Sequence, residues 1–199
     1  MPTPPPPGET SSRDANQAFT ANVERLCRHD KRARADLRRG LGRRYEQSHG
    51  MHRHLVPFMS EHASSSTRHA RYTVAALIAD TPADAPAPSE GDATPTNLGA
   101  SLGQAVRHGA MKPNSAEATL HLFTRQHSAT IARSLPALAR QIRRSGAAID
   151  WGRLVDDLTW WDRDRDRIAT RWLDHYYRAV QPHDDPQPDT PDTDTGSDQ

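Results

Sequence analysis

Apolar side chains recur at intervals of three and four from Phe19 to Tyr176. Nowhere does the chain alternate apolar with polar residues or gather β-branched residues into a run. That period puts apolar groups on one side of helices and leaves nothing from which to build a sheet, so an all-α fold is predicted. Phe19, Val23 and Leu26 line a first helix. Asp30 is the cap of a second, which turns Ala33, Leu37 and Leu41 inward before Gly40 and Gly42 loosen the chain. A third helix is expected over 51–60, kinked or restarted near Val56 because Pro57 lies inside it. A fourth, over 67–79, presents Tyr72, Val74, Leu77 and Ile78. Beyond residue 97 the pattern resumes with Leu98, Leu102 and Val106, and then, after Ser115 as a cap, with Ala116, Leu120 and Phe123. Ile131, Leu135, Leu138 and Ile142 follow, ended by Gly146. Asp150 caps a last helix running from Leu154 through Leu158, Trp161, Ile168 and Trp172 to Tyr176, with an interruption expected near Asp162.

Between these groups, DTPADAPAPSEGDATPTN (80–97) has four prolines and no large apolar residue, which marks a linker. The expected organisation is therefore two small helical bundles, 16–80 and 97–180, joined by a Pro/Ala-rich linker at 81–96. The Pro-rich residues 1–15 and the acidic residues 181–199 cannot offset their ordering entropy by burial and are expected to be disordered tails. No apolar run is long enough to span a membrane, and the N-terminus lacks the basic-then-apolar order of a secretory signal; a cytoplasmic protein is expected. The lone Cys27 sits beside Val23 and Leu26 and reads as a small buried residue rather than a nucleophile.

The formal net charge is +1, yet residues 25–44 hold nine Lys or Arg against two Asp. The near-neutral total is produced by the acidic tail: residues 16–180 hold 25 basic and 17 acidic groups. A second basic stretch, 107–144, has seven Lys or Arg and one Glu. With Ala33 and Leu37 inward, Lys31, Arg32, Arg38 and Arg39 fan across the outer side of their helix; with Leu135, Leu138 and Ile142 inward, Arg133, Arg140 and Arg144 share an outer face and Arg143 flanks it. In WDRDRDRIATRW the arginines alternate with Asp162, Asp164 and Asp166, a pattern of solubility and local ion pairing. The two basic stretches lack such neighbours, which points to a polyanion, and their Arg content favours phosphate.

Signals for catalysis are weak. His49, His52 and His54 are spaced by three and two, which matches no usual zinc pattern, and neither a phosphate-binding glycine loop nor a nucleophile elbow occurs. Asp156 and Asp157 are adjacent and so diverge on a helix. Trp151, Trp160, Trp161, Trp172, Tyr176 and Tyr177 fall at helical spacing and are expected mainly in the core. No cofactor and no metal is expected.

With these residues in view, the chain resembles the CasB family, the small subunit of the type I-E CRISPR surveillance complex Cascade. The resemblance rests on RADLRRGLGR (34–43), LVPFM (55–59), TVAALIA (73–79), LGASL (98–102), IDWGRLVDDLTWWD and TRWLDHYY, in that order. It implies a non-catalytic subunit of two helical bundles, present in two copies. As partners it implies crRNA, target DNA in single-stranded and guide-paired form, the large and backbone Cascade subunits, and a second copy of itself. It also implies a role in antiviral defence in which guide pairing reads the sequence and the small subunit steadies the opened DNA.

On that basis Arg34, Arg38, Arg39, Arg43 and Arg44 are expected to hold strand phosphates. Arg107, Arg125, Arg133, Arg140, Arg143 and Arg144, with Arg53 and Lys112, form a second surface. Of these, only Arg34, Arg38, Arg39 and Arg43 lie within a motif of the resemblance; the others rest on charge and helical face. The residues alone leave other classes open: a free-standing helical DNA-binding regulator, a metalloenzyme centred on the histidines, or a scaffold for acidic proteins.

Overall fold

The computed structural model describes residues 7–81 and 94–181, so the linker centre, the first six residues and the acidic tail lie outside the described residues. The described residues form eight α-helices and two 3-10 turns, with no strand among them. The helices are α1 (Pro7–His29), α2 (Lys31–Arg38), α3 (His49–Leu55), α4 (Ser65–Asp80), α5 (Leu98–Arg107), α6 (Pro113–Phe123), α7 (Ser128–Arg144) and α8 (Trp151–Val180).

Two helices organise the rest. From Tyr72 to Asp80 every residue of α4 is buried, apolar all round but for Thr73 and Asp80, as its position among α1, α2, α7 and α8 requires. Helix α8 packs on α1, α4 and α5 and contributes Trp161, Trp172 and Tyr176 to a core that contains residues from both sides of the linker. The Trp161 and Trp172 rings lie 4.7 Å apart. Trp161 Nε1 donates to the Gln126 carbonyl at 2.9 Å, and the Tyr176 hydroxyl donates to that of Pro113 at 3.0 Å. Trp161 and Tyr176 thus each bring their polar atom to a partner. Trp160 and Tyr177, one position from buried neighbours, are exposed.

Helices α5 and α8 cross with almost no space between them. A Cβ placed on Gly99 would lie 1.9 Å from the Trp172 carbonyl oxygen, and one on Gly103 would lie 2.9 Å from that of Tyr176. The glycines of LGASLG, four apart on one face, are what admit the larger helix.

The caps expected at Asp30 and Asp150 form: Asp30 accepts from Arg32 and Ala33 N–H at 2.8 and 2.9 Å, and Asp150 from Arg153 N–H at 2.8 Å. Gly146 ends α7 with φ 79°. Pro57 ends α3 at Leu55 and turns the chain into a 3-10 turn. The interruption of α8 falls at Asp164 (φ −138°, ψ 34°), two residues past the expected place.

Two expectations are corrected. Ser115 does not cap α6: the helix begins at Pro113, whose missing N–H costs nothing there, behind Lys112. Residues 7–15, expected as part of a tail, are the first turns of α1. Ser12 and Asn16 donate to Asp156, and Arg13 pairs with Asp150, so α8 holds a segment that composition alone would leave loose.

Candidate nucleic-acid interface

Burial of Ala33 and Leu37 fixes the roll of α2 and sends its arginines toward the C-terminal end of α4 and outward. Arg34 is half-buried. Its Nε donates to the Ala79 carbonyl at 3.1 Å and its Nη2 to that of Thr81, so it closes the end of α4, where carbonyls lack helical partners. Arg38 and Arg39 extend further into solvent, with 64% and 73% of their side chains exposed. With Lys31, Arg34 and Ala35 they line a surface depression of about 410 Å³.

On α7, Leu135, Leu138 and Ile142 are buried, and Arg133, Arg140 and Arg144 stand outward. Arg143 turns aside, donating to the Ala147 carbonyl at 3.1 Å; burial draws its pKa below the ordinary guanidinium value. The loop after α2 runs against α7. Gly42, with φ 68°, lies so close that a Cβ there would stand 3.9 Å from Arg133 Cα, which brings the exposed Arg43 and Arg44 to the start of the α7 face.

The two basic stretches meet at one carboxylate. Arg38 Nε donates to Asp80 Oδ1 at 2.8 Å and Arg140 Nε to Asp80 Oδ2 at 2.5 Å. A second shared carboxylate is Asp36, 7% exposed, which takes Arg39 Nη1 at 2.5 Å, Arg53 Nη2 at 3.5 Å and His54 Nε2 at 3.1 Å. The His54 hydrogen bond, aided by Arg53 and Arg39, holds the Asp36 carboxyl below the usual carboxylate range against the effect of burial. Some of these arginines therefore do have counter-charges: Arg38 and Arg140 take Asp80 from across the fold, and Arg39 and Arg53 take Asp36, which lies three residues before Arg39. Two arginines still share each carboxylate, so the face remains cationic. Among the described residues, Arg43, Arg44, Arg125, Arg133, Arg144 and Lys112 make no ion pair. Arg107, Lys112 and Arg125 are exposed at the ends of α5 and α6.

The three histidines do not converge on one point: the His49 and His52 rings lie 5.8 Å apart, and His54 turns elsewhere. His54 is bound to Asp36, His52 packs edge-on against Tyr72 at 5.3 Å and contacts the Ser48 carbonyl, and His49 is exposed. No group of three or more His, Cys, Asp or Glu among the described residues is arranged to hold a metal. Cys27 packs on the core, and burial pushes its thiol up to about 11, which leaves no thiolate at neutral pH.

Asp80 is hidden in the sequence as a partner of these arginines because Arg38 and Arg140 lie elsewhere in the chain, whereas Asp36 has Arg39 three residues on and draws only Arg53 and His54 from a distance. One signal was present: Asp80 directly follows TVAALIA, the run of a buried helix, and a carboxylate there needs cationic partners.

The family model for the CRISPR-associated protein Cse2 matches residues 33–177. A chain of a structure described as a CRISPR RNA-guided surveillance complex is 33% identical, with a TM-score of 0.75 over 85% of this chain and 95% of that one. A second chain, from such a complex described as pre-nicking, is 33% identical, with a TM-score of 0.74 over 84% and 94%. The Cse2-family protein of Thermus thermophilus, at 24% identity and a TM-score of 0.65 over 82% and 97%, shares the fold. No curated protein matches the chain.

Proposed function

The chain belongs to the CRISPR-associated Cse2 family, and on that premise we propose that it is a non-catalytic small subunit of a type I-E Cascade complex. In this reading it binds crRNA, target DNA and the displaced strand by their phosphates, packs against the large and backbone subunits and a second copy of itself, and acts in the cytoplasm in antiviral defence. No helix among the described residues is long and apolar enough to cross a membrane.

The observation that carries the reading is the joining of the α2 and α7 arginines into one face at Asp80, with Arg43, Arg44, Arg133 and Arg144 beside it. Guanidiniums offer forked donors matched to phosphate oxygens. Contacts of that kind hold any sequence equally, which suits a subunit that leaves recognition to guide pairing.

The test is reconstitution of the complex with Arg133→Glu and Arg144→Glu together. Intact assembly and guide content with loss of displaced-strand protection from permanganate supports the reading. Unchanged protection refutes it, and failed assembly assigns the face to subunit packing.

A further inference from the structure

We propose that Asp80 is a positioning residue that holds Arg38 and Arg140 as one two-guanidinium clamp for a single backbone phosphate. The proposal rests on the nucleic-acid role given to this face above. Both arginines use Nε on the carboxylate, so neither spends its terminal NH2 groups there. The Asp80 side chain is 3% exposed, whereas Arg38 and Arg140 are 64% and 44% exposed: the acid lies beneath and the guanidinium ends lie above. Asp80 is the last residue of α4, whose residues from Tyr72 onward are all buried, so the anchor is packed in place. Arginine side chains ordinarily lose rotamer freedom when they grip a ligand; here that loss occurs on folding, before a strand arrives. Two cations on one anion also leave a net positive charge for the phosphate. Arg38 comes from before the linker and Arg140 from after it, so the clamp exists only when α2 and α7 are both docked on α4.

Binding of a labelled single-stranded oligothymidylate to the full-length chain, with Asp80 unchanged and as Asp80→Asn, tests this across a salt series. If charge alone governs the face, removing an anion beneath it strengthens binding. Positioning gives the opposite sign, a loss of about five- to tenfold at low salt from two unfastened side chains. Equal or tighter binding by folded Asp80→Asn overturns the proposal.

Should that variant not fold, Arg38→Ala, Arg140→Ala and their combination decide. One shared phosphate predicts that the double variant lowers the log–log salt slope by about 0.7, the value for one contact on a single strand; about twice that, two independent contacts, overturns the clamp. Failure of the unaltered chain to bind at all overturns the underlying reading, and the clamp with it.

Discussion

Asp157 and Asp80 solve the same problem in two parts of the molecule, and the results differ. Asp157 is 2% exposed within α8 and takes Arg153 Nε at 3.0 Å, Arg171 Nη2 at 2.7 Å and the Trp172 indole N–H at 2.6 Å. Its two arginines are themselves mostly covered, at 23% and 28% exposure. Asp80 also gathers two arginines, but these are exposed, Arg38 at the end of α2 and Arg140 on the outer face of α7. One cluster closes the core and the other opens onto solvent. An Arg-to-carboxylate ratio therefore says little about role; the depth of the guanidinium ends decides it.

The strongest way to break this comparison is Asp157→Ala. It leaves two largely buried cations and an indole N–H without their acceptor, and a loss of about 3–5 kcal/mol is expected. Urea unfolding followed by circular dichroism measures it; a loss below about 1 kcal/mol would mean that water replaces the carboxylate and that Asp157 is no deeper in effect than Asp80.

Next in size, Arg133→Glu with Arg144→Glu should weaken oligonucleotide binding by about tenfold, close to 1.4 kcal/mol, while leaving the melting temperature within a degree or two. Among the described residues, neither has an ion pair to lose. A fall in stability matching the fall in binding would place both among the structural arginines.

A third prediction concerns pH. Asp36 has a carboxyl pKa lowered chiefly by the His54 hydrogen bond, so its contribution is fully present above the unfolded-state value and disappears as pH falls through the lower folded-state one. His54→Ala should shift that acid-side loss of stability to higher pH. An unmoved acid limb in the denaturation profile would assign the effect to Arg39 and Arg53 alone.

The smallest effect belongs to the segment rich in Asp. Arg167 pairs with Asp164 three residues earlier; Arg167 is exposed and Asp164 half-buried. Arg167→Gln should change stability by less than about 0.5 kcal/mol. Thermal unfolding would show a larger change if the pair supported the bend in α8 at Asp164.

Local physics made the helices readable. Ala33 and Leu37, or Leu135, Leu138 and Ile142, declare a buried face by spacing alone, and Asp30, Asp150 and Gly146 act on their own neighbours. The same spacing indicated which side of α7 carries Arg133, Arg140 and Arg144. What depended on distant residues was hidden. Nothing near Arg38 announces Asp80, 42 positions away, and nothing near Arg140 announces the same group from 60 positions away. The charge surplus was therefore visible as a count, but not as a set of arginines sharing fixed carboxylates. The start of α1 was hidden for the same reason, since the residues that hold Ser12, Arg13 and Asn16 are on the last helix or cap it. Pro113 was available as a start signal for α6 and outweighs Ser115 because its φ already suits a first helical turn.

The late position of α8 has a consequence for synthesis. Helices α1, α4 and α5 all leave the ribosome before the helix on which each packs, and the glycine seat of Gly99 and Gly103 has nothing to receive until Trp172 and Tyr176 have been made. The nascent chain thus carries apolar surfaces that only its last described helix can cover. A stall or truncation before residue 176 would release a chain exposed to aggregation or chaperone capture rather than a smaller working domain.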